Sequence, residues 1–153
     1  MLSRPTTEQI LLDCCLEIMT GVFPVVTDET AQVKLIMLDT VLRNMAVRSA
    51  HEIAWMCEEI VEIESYFEAV VEADPAAVTT VEARARMAKA PHGDLNLDSV
   101  VESYCRAGDA FSAALEAAVA GKHADLIARG EQLLQVRAAR ETEVMAGWSP
   151  TGR

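Results

Sequence analysis

The sequence predicts an all-α fold, an antiparallel helical bundle of four main helices plus one short helix, with a long second helix. Three observations predict it. Aromatic residues make up only 5% of the chain, so its apolar half is almost entirely Ala, Val, Leu, Ile and Met. That composition suits packed helices better than half-buried strands. The 7 Gly and 5 Pro fall at a handful of places and leave long stretches without punctuation, as long helices require. Within those stretches apolar residues recur every three or four positions, the period of an amphipathic helix. The 153 residues suit one domain with one core, read as residues 1–153, with no internal repeat or linker.

The first helix opens on Thr6, which forms a capping box with Gln9, Pro5 standing just outside. Leu11, Cys15, Ile18 and Val22 follow at helical spacing, and Gly21 and Pro24 end the helix. Thr27 is the expected N-cap of the second helix, with Asp28 and Glu29 at the positive end of its dipole. The next proline is Pro75, and no glycine intervenes. One apolar block runs Leu35, Leu38, Leu42 and Met45, and a second runs Ile53, Met56, Ile60, Ile63, Phe67 and Val70. The step between blocks is eight, with Ser49 in the gap. The pattern predicts one continuous helix, on the order of 60 to 70 Å long, with a phase slip near Ser49. A hinge at residues 48–50 is the alternative, but no breaker residue stands there.

A short third helix is expected from the Thr79/Glu82 capping box to Pro91 and Gly93. Asn96 or Asp98 caps a fourth, whose seam is Val100, Tyr104, Ala107, Phe111, Ala114 and Ala118, ended by Gly121. The fifth runs from about Lys122 to Met145, before Gly147 and a frayed tail from Trp148 to Arg153. Short connections favour antiparallel neighbours. The expected core is Leu38, Leu42, Met56, Ile60, Ile63, Phe67, Phe111, Leu115, Leu133 and Val136.

Charge and cysteine usage narrow the function classes. A formal net charge of -11 and a pI near 4.6 repel phosphate backbones and anionic lipids, so nucleic-acid and membrane partners are not expected. No stretch reaches the roughly 20 apolar residues of a membrane span. The start, Met1-Leu2-Ser3-Arg4-Pro5, lacks the layout of a signal peptide, so a cytoplasmic location is expected. Cys14, Cys15, Cys57 and Cys105 form no C-x-x-C pair and read as free thiols of a reducing compartment.

No nucleotide-binding, hydrolase or zinc-protease motif is present. Arg48, Lys89 and Ala120 stand three residues before His51, His92 and His123, so the Glu-x-x-His of di-iron bundles is absent. No catalytic residue, metal ligand or cofactor is therefore assigned. The strongest charge pattern is acidic: Glu58, Glu59, Glu62, Glu64, Glu68, Glu72 and Asp74, with no Lys or Arg between Arg48 and Arg84. It reads as a solvated face, or as a face paired with Arg129, Arg137 and Arg140 of the fifth helix, or as a weak carboxylate site for a divalent ion.

The most specific feature is a stripe on the second helix. Asn44, Arg48, His51, Trp55, Glu58, Glu62 and Tyr66 fall within an arc of about 80°. Trp and Tyr among polar residues favour interfaces, because they bury much area and keep a polar handle. Packing under the third or fifth helix is the plainer reading, and a ligand pocket the third. Arg4-Pro5-Thr6, the Ile- and Leu-rich first helix and the long second helix also carry a resemblance, over about the first half of the chain. They resemble a bacterial family of small helical proteins of unknown function, often encoded beside acyl-CoA dehydrogenases and aminoglycoside-phosphotransferase-like kinases. The resemblance implies an accessory role in acyl or lipid metabolism and no catalytic residues.

The sequence thus reads as a non-enzymatic interaction or accessory protein that forms a homodimer through its second helix. In that dimer Trp55 and Tyr66 are anchors, and Arg48 of one chain lies near Glu58 or Glu62 of the other. The alternative is a small-molecule-binding protein or enzyme with a pocket between helices near His51, Trp55 and Tyr104.

Overall fold

The computed structural model describes residues 4–75, 83–84 and 94–145. Among them there are helices and no strands. In order they are α1 (Thr7–Glu17), a π turn (Ile18–Val22), a 3-10 turn (Phe23–Val25), α2 (Glu29–Ala73), α3 (Leu97–Ala120) and α4 (Ala124–Met145). Thus α3 and α4 are the fourth and fifth helices expected from the sequence. The short helix expected at 79–91, and the tail, lie outside the described residues apart from helical Ala83 and Arg84. No described helix is long and apolar enough to cross a membrane.

Local chemistry explains the ends. The Thr6 hydroxyl accepts from the Gln9 N–H (3.3 Å), and the Gln9 side chain accepts from the Thr6 N–H (2.9 Å), which closes the capping box. At the start of α2 the cap is Asp28, not Thr27: its carboxylate accepts from the Ala31 N–H at 2.8 Å. A carboxylate also favours the positive end of the helix dipole, so it outcompetes the hydroxyl. Asn96 caps α3 by accepting from the Asp98 N–H at 3.1 Å. α3 ends in a Schellman motif, with Lys122 N–H donating to Val119 and His123 N–H to Ala118. The left-handed position is held by Lys122 (φ 56°), one residue beyond the glycine that the sequence pointed to.

α2 is unbroken for 45 residues, as expected, and carries no hinge at Ser49. The chain nevertheless divides into two compact units, Met1–Glu52 with Ala139–Arg153, and Ile53–Ala138. The second unit holds the apolar core. Tyr66, Phe67, Ile63 and Val70 of α2 pack with Phe111, Ala107, Ala110, Ala114, Ala117 and Ala118 of α3. The run of alanines leaves room for the large α2 side chains. Ala83 joins this core, and Ile60, Leu115 and Leu133 pack against its edge.

Contacts within this unit fix helix directions. Glu59 and Ser65 of α2 bond to Arg137 and Arg129 of α4, so α2 and α4 run antiparallel. Tyr66 stacks obliquely on Phe111 at 5.5 Å, and Tyr104 meets Glu59, so α2 and α3 run parallel. α4 is thus antiparallel to α2, while α2 and α3, which the expected short helix separates in sequence, are parallel. Gly130 sits in α4 where a Cβ would lie 2.8 Å from Leu115 and 3.0 Å from the Tyr66 hydroxyl. Its bare backbone lets α4 approach this closely.

The first unit is different. Among its described residues only Cys15 and Ala46 are fully buried. The Cys15 thiol lies 3.7 Å from the Asp39 carbonyl, and Arg43 pairs with the Asp39 carboxylate at 2.8 Å. Asn44, expected on an interface stripe, is half-buried and lies against the carbonyls of Thr40 (3.3 Å) and Val144 (2.8 Å). It thereby satisfies an orphan carbonyl at the end of α4. The expected core is corrected at two positions: Leu38 is 45% exposed and Val136 44%. Leu42, Met56, Ile60, Leu115 and Leu133 are half-buried, and Ile63, Phe67 and Phe111 are buried.

Two stability changes follow. Gly130→Ala gains helix propensity of about 1 kcal/mol but overpacks the contact by about 1–3 kcal/mol. It should therefore lower unfolding free energy by about 1 kcal/mol, read from the urea midpoint; a rise would mean Leu115 and Tyr66 yield freely. Lys122→Gly relieves the left-handed strain and should raise stability by about 0.5–1 kcal/mol, after the larger chain entropy of unfolded glycine is counted. An unchanged or lower thermal midpoint would contradict it.

Candidate interaction surface

Two features outside ordinary core packing stand out. The first is a polar cluster inside the second unit. Glu59, 8% exposed, accepts from Arg137 Nε at 2.7 Å and is also paired with its terminal nitrogen. The Arg137 guanidinium lies over the Tyr104 ring at 5.5 Å. Burial lifts the Tyr104 phenol above its ordinary value of 10.0, and the neighbouring Glu59 charge lifts it further. Burial alone would lower Arg137, but its bond to Glu59 and the attraction of that carboxylate hold it up. This is a satisfied carboxylate, guanidinium and phenol cluster. The crevice beside it, lined by Ile63, Phe111, Leu133 and Leu134, is too narrow for a water molecule. The cluster therefore orders the helices and offers no room for a substrate.

The expected pairing between the acidic run and the fifth helix is present at Glu59 and Arg137. Arg129 donates to the Ser65 hydroxyl at 2.9 Å, and Glu68 pairs with Arg84. Glu58, Glu62 and Glu72 are exposed, as a solvated face requires. Among the described residues no group of three His, Cys, Asp or Glu is placed to hold a metal ion.

The stripe is not one continuous face. Arg48, His51, Glu58 and Glu62 are exposed, and Asn44 and Trp55 half-buried. Tyr66 is fully buried against Phe111, with Arg129 over its ring at 5.9 Å. It cannot anchor an interface without leaving the core. Arg48 pairs at 2.7 Å with Glu52 of its own helix rather than lying unpaired. An open cleft of about 570 Å³ lies in the second unit beside Glu72, His123 and Asp125.

The second feature is the apolar surface of the first unit. Twelve of the twenty exposed large apolar side chains found among the described residues belong to it. On α2 these are Val33, Ile36, Met37, Leu38, Val41 and Met45, between 40% and 60% exposed. On α1 they are Ile10, Leu12 and Leu16. Scattered exposed apolar residues are normal, but successive ones at helical spacing form a patch that marks interaction. Sequence reasoning placed Leu38 and Met45 in a core seam; they are instead 45% and 47% exposed. Comparison with known proteins adds no relative: no family profile, curated protein or solved structure matches the chain significantly.

The two tyrosines give a clean probe of the second unit. Burial is the main cause that raises both Tyr66 and Tyr104, with Arg129 opposing it at Tyr66. A phenol whose folded value is raised stabilises the fold fully below the unfolded value near pH 10 and loses that contribution as pH climbs through the folded value. The chain has no other tyrosine. Absorbance at 295 nm should therefore stay flat past pH 10 and then rise for both groups together with loss of helix. Reversible ionisation near pH 10 with full helicity would contradict the burial.

Proposed function

We propose that this protein is a non-enzymatic helical interaction protein that self-associates through the first half of its long helix. The observation that supports this is the first unit itself: two fully buried residues among those described, and a set of half-exposed Val, Ile, Met and Leu along α2. Six such side chains on one helix segment represent on the order of several kcal/mol of unrealised burial. A monomer leaves that surface in water, whereas a two-fold dimer sets the same patch against itself. The proposed surface lies N-terminal to the Trp55 and Tyr66 stripe, because Tyr66 already serves the core of its own chain.

The acidic charge of the chain does not oppose this surface. Glu29 and Asp39 are balanced within residues 29–48 by Lys34, Arg43 and Arg48, whereas residues 52–74 carry acidic groups and no Lys or Arg. The first half of α2 is thus the stretch of that helix where two copies approach without strong repulsion. Sedimentation at tens of micromolar should show a dimer. Val41→Glu, which places two carboxylates in the seam, should raise the dissociation constant at least 100-fold while helicity is kept. A wild-type monomer at that concentration would overturn the reading.

A further inference from the structure

Resting on that self-association, we infer that the two α2 helices meet antiparallel, with Lys34 of each chain opposite Glu52 of the other. The first unit carries one regular row along α2: Lys34, Leu38, Val41, Met45, Arg48 and Glu52. Its steps are four, three, four, three and four, the a/d alternation of a coiled-coil seam. Leu38, Val41 and Met45 of this row are about half exposed, and Lys34 and Arg48 are exposed. Charged residues therefore close the row at both ends, with the apolar residues between them.

The order of charges selects the direction. In a parallel pair each residue of the seam meets its own copy. Lys34 then faces Lys34, Arg48 faces Arg48 and Glu52 faces Glu52, three like-charge layers in a seam with three apolar ones. In an antiparallel pair an a position meets a d position. With the two-fold axis beside residue 43, Val41 faces Met45, Leu38 packs under the aliphatic stem of Arg48, and Lys34 faces Glu52. Each layer is then apolar or complementary, and symmetry repeats the Lys34 to Glu52 pair at both ends. Arg48 keeps its pairing with Glu52 of its own helix at 2.7 Å, so each end becomes a three-charge group of Lys, Glu and Arg.

The area is adequate. With Met37 and Val33 beside the row, the half-exposed side chains offer on the order of 400 Å² of apolar surface per chain, about half of what each partner contributes to a standard interface. The rest is the polar rim that surrounds such a core, here Lys34, Arg48 and Glu52. Cation and anion at opposite ends of a short apolar row set the register as well as the direction, since a slip of one heptad would lose both charge pairs.

Charge inversion tests this separately from self-association. Lys34→Glu and Glu52→Lys each turn two cross-chain attractions into repulsions. Each should raise the dimer dissociation constant about tenfold by sedimentation equilibrium at low salt. The double variant restores both pairs and should return to within about threefold of the wild type. A mixture of the two single variants should form a heterodimer as tight as the wild-type dimer. Circular dichroism of each variant confirms that α2 is intact. A wild-type dimer whose affinity is unmoved by either single change, or a double variant weaker than both singles, would overturn the antiparallel register. Either result leaves self-association standing, which fails only if the wild type is monomeric.

Discussion

One helix longer than its companions sets the terms for the rest of this protein. At 1.5 Å per residue α2 is about 67 Å long, against about 36 Å for α3, 33 Å for α4 and 16 Å for α1. The tyrosine and phenylalanine core, built with α3 and α4, occupies the C-terminal part of α2 around residues 59–70. The N-terminal part meets the eleven residues of α1 through Cys15 and the end of α4 at Val144. A helix covered so unevenly buries Ile63, Tyr66, Phe67 and Val70 in one half and leaves most large apolar residues of the other half exposed. That imbalance leaves a row of half-exposed apolar side chains along the first half of the helix.

The covered half carries an ion pair on a buried carboxylate, and this bears on how its helices pack. Glu59 is the buried member and Arg137 keeps about a third of its side chain exposed, so the pair contributes modest net stability over an apolar pair of the same size. Removing Arg137 is the costly change, since Glu59 would stay buried without that partner. The pair thus fixes the register of α4 on α2, a role the interchangeable alanines of α3 cannot fill. Tyr104 adds to it by turning its ring to the guanidinium. The Tyr66 hydroxyl is the opposite case. It has no hydrogen-bond partner among the described residues, and the ring is held by packing against Phe111 and the bare backbone of Gly130.

Much of this was legible in the residues. Thr6 with Gln9 and the absence of any breaker between Pro24 and Pro75 follow from local chemistry with few competitors, whereas Asn96 was one of two possible caps and Arg137 one of three arginines offered to the acidic run. The faces of α2 were not legible. Val33, Leu35, Ile36, Met37, Leu38, Val41, Leu42 and Met45 surround the helix so fully that their spacing gives a period without a preferred side. In the second half the boundary of the buried face falls inside the expected stripe, between Glu62 and Tyr66. Residues within one 80° arc therefore met opposite environments. Asp28 displaced Thr27 as cap because the two stand side by side and only geometry chooses between them. Lys122 took the left-handed position because the Schellman bonds count from Ala118, and no residue preference shifts that count.

The alanine face of α3 has a consequence for how this protein tolerates change. Ala110, Ala114 and Ala118 are between 0% and 1% exposed and pack with the largest side chains of the molecule. Any added methylene there must displace a buried neighbour in that core. The half-exposed Leu and Val residues of the first unit accept polar replacements with little effect on the folded monomer. Positions with the least side chain are therefore the least replaceable, and a random library sorted only for solubility would keep its alanines in α3 while scrambling the apolar row of α2. On the self-association proposed above, the same library sorted for assembly would keep both. The difference between the two outcomes separates the residues that make the fold from those that serve its contacts.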